Sequence, residues 1–338
     1  MLILSAVVML LAASPAAPPV KAGLHVIKSI PLGGEGGWDY LTLDSETRRL
    51  YITRGDHVTV LDVDTEKVVG EIKDTQGVHG VALAPDLKRG FTSNGRANTA
   101  TIFDLSTLAK IGEVKTGSKP DAILYDTGTH RVFTFNGESQ DTTAIDAAAG
   151  TVVGTIALGG VPEFAAVDGK GTVFVNLEDK AEILAVDARE LKIKSRWSLA
   201  PGKEPTGLAI DTEKGRLFAG CHNELMVVVA ADSGKVLATL PIGRGVDATA
   251  FAAAQRLAFS SNGDGTLTVV KEDTPGHFIV VENVKTQTGA RTMALDPRTH
   301  KIFLATAQFG PPPPPTADRP HPRAPVLPNT FVILVVGE

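Results

Sequence analysis

Seven polar residues recur along the chain at steps of about 40 to 44 residues: Asp39, His79, Asp121, Glu163, Thr206, Asp247 and Arg291. Each stands just ahead of an alternating apolar stretch, so each holds the same place in a repeated unit. Four carboxylates, an imidazole and a guanidinium gathered in one confined place have two kinds of chemistry open to them. They can hold a divalent cation through oxygen ligands. They can also crowd one another until a carboxyl group's proton affinity suits general acid–base work. The plainer use of such positions is to line a water-filled channel and satisfy backbone ends. The scaffold that gathers them decides between these.

That scaffold follows from the repeat. One phrase occurs seven times: a polar residue, an alternating strand, a polar turn, then a second strand. The copies are WDYLTLDSETRRLYI from Trp38, VHGVALAPDLKRGFT from Val78, PDAILYDTGTHRVFT from Pro120, PEFAAVDGKGTVFV from Pro162, PTGLAIDTEKGRLFA from Pro205, VDATAFAAAQRLAFS from Val246 and ARTMALDPRTHKIFL from Ala290. The third unit carries four short strands, AILY, RVFTF, TTAID and VVGTIAL, between turns rich in Gly, Asp and Thr. A four-stranded unit of this length cannot bury both faces alone, and stacking seven in a circle does so. The predicted fold is all-β: one seven-bladed β-propeller domain of four-stranded blades over 23–338. Leu24 to Leu32 (LHVIKSIPL) matches the fourth-strand segments KVLATLPIG and TVVGTIALG but precedes the first unit, whereas the last unit ends on its third strand, FVILVV. The N-terminal strand is therefore expected to complete the last blade and close the ring, which removes two open edges.

The phrases LYITR, FTSN, FTFN and FSSN, followed downstream by VTVLDVDTEKVVGEI or TIFDLSTLAKIGEV, resemble the YVTN-repeat β-propeller family, the YncE-like proteins. The likeness runs over nearly all of the chain after its first residues. The Asn closing the motif is kept at Asn94, Asn136 and Asn262 and replaced by Arg54, Leu177, Cys221 and Thr306. The resemblance implies an exported propeller. Its wider relatives include lactonases and the propeller parts of redox enzymes, so it does not select a reaction.

In such a propeller the loops leading into the inner strands share a face with the loops between second and third strands. The second set adds Arg54, Asp56, His57, Asn94, Arg96, Asn136, Glu138, Glu178, Asp179, His222, Asn223, Asn262 and Asp264, most of them expected to be turn-formers. His222 follows Cys221, but adjacent strand side chains point to opposite faces. Cys221, the single cysteine, allows no internal disulfide and is expected to be a small buried core residue. His130 and His300 fall in turns on the far face. Asp62, Asp104, Asp146 and Asp187 recur at third-strand ends as Asx-turn formers. The one large break in the repeat is the Pro-rich insertion of residues 308–329 in the last unit. It is expected to lie over the channel mouth as a lid or to dock a partner, with Pro311, Arg319, His321 and Arg323 as its contact residues.

Composition narrows the partners. A net charge of -5 gives no basic face for nucleic acid or an anionic membrane. No P-loop, dinucleotide fingerprint, G-x-S-x-G elbow, H-E-x-x-H or haem-attachment motif is present. Met1 to Ala13 is an apolar run followed by small residues and Pro, which reads as a signal peptide over 1–22 with cleavage after Ala16 or Ala22 and a periplasmic or secreted destination. It is too short to span a bilayer, as is the C-terminal FVILVVGE. The expected function is an exported binding or interaction module that takes a small molecule or a protein on its polar face. The alternative is a hydrolase or lyase of lactone-like metabolites using a divalent metal in the carboxylate-lined mouth.

Overall fold

The computed structural model describes residues 22–316, 322 and 324–338. The segment expected to direct export lies outside these residues except for Ala22, and so do Arg319, His321 and Arg323. The described chain forms seven four-stranded antiparallel sheets arranged as the blades of a propeller. The inner strands are Leu41–Asp44, Val78–Ala84, Pro120–Asp126, Pro162–Val167, Pro205–Asp211, Val246–Ala252 and Thr292–Leu295, heading blades 1 to 7. Among the described residues no helix is long and apolar enough to cross a membrane.

Each blade's middle strands are buried on both faces, which is why they read as near-continuous apolar runs. Phe133 and Phe135 of blade 3 pack with Val175, Leu177 and Leu184 of blade 4. Leu50, Ile52 and Leu61 of blade 1 pack with Ala305, Ile333 and Val335 of blade 7. Every fully buried Phe or Leu in these inter-blade layers contributes roughly 1.5–3 kcal/mol. The ring closes as the repeat implied. His25–Pro31 pairs antiparallel with Val332–Gly337 and becomes the outer strand of blade 7.

The far face holds the expected turns. The carboxylates of Asp62, Asp104, Asp146 and Asp187 each accept the backbone N–H groups two and three residues on. His130 and His300 sit in turns with φ of 54° and 60°.

On the mouth face one expectation changes. Asn94, Asn136 and Asn262 are fully buried, and their side chains fasten one strand to the next instead of forming turns. Their Nδ2 groups donate to the hydroxyls of Thr101 at 2.9 Å, Thr143 at 3.0 Å and Thr268 at 3.1 Å. A buried amide needs such partners, and the motif's threonines supply them. The loop capping falls to Asp179, Asn223 and Asp264, which accept the N–H groups of Val161, Lys203 and Arg244. Arg54, where the motif has Asn, is buried 3.9 Å above the Phe331 ring and donates to the carbonyls of Gly33 and Glu35.

The base of the Pro-rich insertion is a short ribbon. Phe309 and Val326 form an antiparallel bridge, and Phe309 packs against Trp38 with centroids 6.2 Å apart. Gly289 makes room for it, since a Cβ there would lie 2.6 Å from the Phe309 ring. The ribbon thus starts beside the loop that leads to Asp39, on the mouth face.

Candidate channel-mouth site

A local irregularity aims the ring residues inward. Pairing of the inner strand with its neighbour slips by one residue between Val78 and Val81, Pro120 and Ile123, Pro162 and Ala165, Pro205 and Leu208, and Val246 and Ala248. Those bulges hold His79, Asp121, Glu163, Thr206 and Asp247, and a bulge re-aims a side chain that regular pleating would send into a blade face. Neighbouring blades pin the same backbone. The Tyr40 amide donates to the His79 carbonyl at 3.1 Å, the Ser93 hydroxyl donates to the Asp121 carbonyl, and Asn176 Nδ2 donates to the Thr206 carbonyl at 3.0 Å.

The side chains then converge. His79 Nδ1 lies 2.6 Å from Asp39 Oδ2 and 3.6 Å from Asp121 Oδ1, and Arg291 Nε lies 3.1 Å from Asp247 Oδ2. Glu163 is within the electrostatic reach of Asp121, Glu178, Asp247 and Asp39. Six of the seven ring residues therefore face one mouth. Thr206 does not contribute its side chain, because it is buried with its hydroxyl donating to the Val246 carbonyl at 3.0 Å.

Crowding sets the proton affinities. Burial, then the charges of Asp121, Glu178, Asp247 and Asp39, push the Glu163 carboxyl up to about 9, so it is neutral at pH 7. Burial likewise lifts Asp39 to about 6 against the lowering effect of its His79 bond. Burial pulls the His79 imidazole down, but the Asp39 bond and the Asp121 charge outweigh it and leave the ring raised. Asp39, His79 and Asp121 each offer a metal-ligand atom, all within 4.8 Å of one another. A divalent ion seated there would first have to displace the proton shared along the short Asp39–His79 contact.

The mouth has a floor that the repeat alignment did not reveal. Tyr40 of blade 1 meets Phe164 of blade 4 edge-on, with ring centroids 5.0 Å apart at 90°. These blades stand across the axis from one another, so the two rings cross the channel. Gly80 makes room, since a Cβ there would meet Ile123 at 2.9 Å and the Tyr40 ring at 3.4 Å. Beneath lies a cavity of about 50 Å³ lined in part by Tyr40, Thr42, Val81, Ala122, Phe135 and Phe164. Below the ring, two aromatic rings thus meet across the channel. The available sequence signal was the aromatic residue directly after a ring position, in WDY and PEF.

No family model and no curated protein matches the chain. Solved structures do. A chain from the structure of a mitotic checkpoint complex superimposes with a TM-score of 0.73 at 15% identity, over 89% of this chain and 95% of that one. The U3-55K protein superimposes at 0.74 and 10% identity, over 94% and 99%. The WD40 repeats of RRP9 do so at 0.75 and 10% identity, over 95% and 99%. At such identities the likeness is one of fold. The chain is a seven-bladed, WD40-like β-propeller.

Proposed function

We propose that this chain is an exported, YVTN/YncE-type propeller that works as a binding module and takes its ligand or partner at the carboxylate-lined mouth. The motif phrases and the apolar leader support the family and the export. The observation that carries the binding reading is the convergence of Asp39, His79, Asp121, Glu163, Asp247 and Arg291 above the Tyr40–Phe164 ring pair. Such a group costs folding free energy, because like charges gathered out of bulk water repel and lose hydration. A ligand that complements them offsets that cost when it binds. A structural neighbour solved within a mitotic checkpoint complex supports protein interaction as a use of the same architecture.

The test is a thermal-shift screen of amines, divalent cations, sugars and carboxylic acids on wild type and on an Asp121→Asn/Glu163→Gln variant. A ligand at about a hundredfold excess over its Kd adds about 2.7 kcal/mol. The expected hit stabilises wild type and not the variant. Hits that stabilise both proteins equally would place binding elsewhere and refute this reading.

A further inference from the structure

Resting on the reading of the mouth as a binding site, we infer that its ligand is an organic ammonium group, seated between Asp121, Glu163 and Asp247 above Tyr40 and Phe164. The first observation is the spread of the acidic groups. Among the described residues, only Asp39, His79 and Asp121 bring three ligand atoms within 4.8 Å of one another, and Glu163 and Asp247 stand outside that set. A small hard ion needs its oxygens 2–2.6 Å from one centre, roughly the reach of the smaller set only. An ammonium group is wider in its demands. It donates three directional hydrogen bonds, which suits acceptors spread around a rim.

The second observation is independent of the acids. Tyr40 is only 9% exposed, and its hydroxyl makes no hydrogen bond among the described residues. That hydroxyl lies in the field of Asp121, Glu163, Asp39 and Asp247 at once, which together with burial holds it well above the usual phenol range. The ring is buried while its oxygen stays open to the mouth, where it can meet a donor. An ammonium proton satisfies it from the mouth side. The crossed rings of Tyr40 and Phe164 add the attraction of an aromatic floor for a cation. The charge balance points the same way. Among the described residues, Asp39, Asp121, Glu163, Glu178 and Asp247 act on the mouth together with the Arg291 guanidinium, which is bound to Asp247. Lys119 stands near enough to His79 to affect it, and a ligand ammonium shares the mouth with it. Seating a cation favours ionised Glu163, so binding releases a proton and tightens as pH rises from about 6 to 9.

A primary amine can come from a small diamine or from a lysine of a protein, and one calorimetric series separates them. The full chain at about pH 8 is titrated with 1,5-diaminopentane, with a short peptide carrying one central lysine, with its acetyl-lysine form, with 1,5-pentanediol, and with calcium and manganese chloride. The expected result is binding of the diamine, the lysine peptide or both, with no binding of the diol or the acetylated peptide. Affinity should fall at least about tenfold in Asp121→Asn/Glu163→Gln, and by a few-fold in Tyr40→Phe, as expected when charge-assisted and neutral hydrogen bonds are lost. Binding of the diamine alone assigns a small-molecule source, and binding of the peptide assigns a protein lysine. If a metal ion binds in a Glu163-dependent way and neither amine does, the ammonium inference falls while the mouth remains a binding site. The diol or the acetylated peptide binding as well as its charged counterpart has the same consequence. If the double variant changes the binding of no probe, both the inference and the reading beneath it fall.

Discussion

Glu163 offers the sharpest test of the mouth's energetics, through the single change Glu163→Gln. In the folded chain burial and four neighbouring carboxylates raise its carboxyl from 4.5 to about 9. Between those values the folded state holds a proton that the unfolded state has released. Stability contributed by this group is therefore fully present below about pH 4.5 and is lost steadily as pH rises to about 9. At pH 7 the unfolded chain has gained the free energy of ionisation over about 2.5 pH units, and the folded chain almost none. That difference is on the order of 3 kcal/mol, and the opening of the mouth to water brings it nearer 2. Glutamine keeps the shape and the neutral charge of the protonated acid and has nothing to release. Melts and urea titrations of both proteins across pH 5–9 should show near-identical stability at pH 5. The variant should be ahead by on the order of 2–3 kcal/mol at pH 7, roughly a 4 °C rise in Tm for a domain of this size, and the gap should still be widening towards pH 9. Two parallel curves across that range would refute the claim that Glu163 is kept protonated by its surroundings.

Other changes test the parts that build the site. Removing Leu24 to Leu32 deletes the outer strand of blade 7 and opens a strand edge, so cooperative unfolding should be lost in circular-dichroism melts; a truncated chain that melts as sharply as wild type would contradict closure by that strand. Gly80→Ala places a methyl 2.9 Å from Ile123 and 3.4 Å from the Tyr40 ring; a loss of about 1–3 kcal/mol in urea titrations is expected, and an unchanged midpoint would mean the floor is not tightly packed. Asn136→Ala leaves Thr143 without the buried amide that bonds to it at 3.0 Å and should cost about 1–3 kcal/mol; a neutral result would return Asn136 to the role of turn-former. Cys221 is fully buried, and burial pushes its thiol up to about 12, so it should resist a thiol reagent in the native chain and react on denaturation.

How far the sequence could be read depends on which physical property each feature obeys. Blade number, strand order and ring closure follow from spacing and from period-2 alternation, and both are linear properties of the chain. The gathering of Asp39, His79, Asp121, Glu163, Asp247 and Arg291 was legible for the same reason, because equivalent places in equivalent blades meet at one axis. The bulges that turn these side chains inward were not legible, since alternation alone would assign His79 or Asp121 to a blade face. Thr206 was indistinguishable from its counterparts until its hydroxyl was seen bonded to Val246. Asn94, Asn136 and Asn262 looked like turn residues because NG pairs so often are, and the threonines that hold them lie on the following strand. Tyr40 and Phe164 were hidden for a different reason. Their contact joins blades 1 and 4 across the channel, and no local pattern reports which side chains are long enough to meet there.

Thr206 also supplies the comparison that gives the other ring residues their meaning. At its position the fold needs a polar group that can satisfy a neighbouring blade's carbonyl, and a threonine hydroxyl does that while buried and uncharged. Asp121 faces His79 and Asp247 faces Arg291, whereas Glu163 makes no ion pair among the described residues. Burial, with the charges of Asp121 and Asp247 among others, raises the Glu163 carboxyl to the point that it holds its proton at pH 7. An arrangement that needed only structure would be more stable with hydroxyls or amides there, as Glu163→Gln is expected to be. The proposed ligand is what would offset the crowding of negative charge around Glu163. Above a floor carrying an unbonded phenol, an ammonium group meets the carboxylates and that oxygen together.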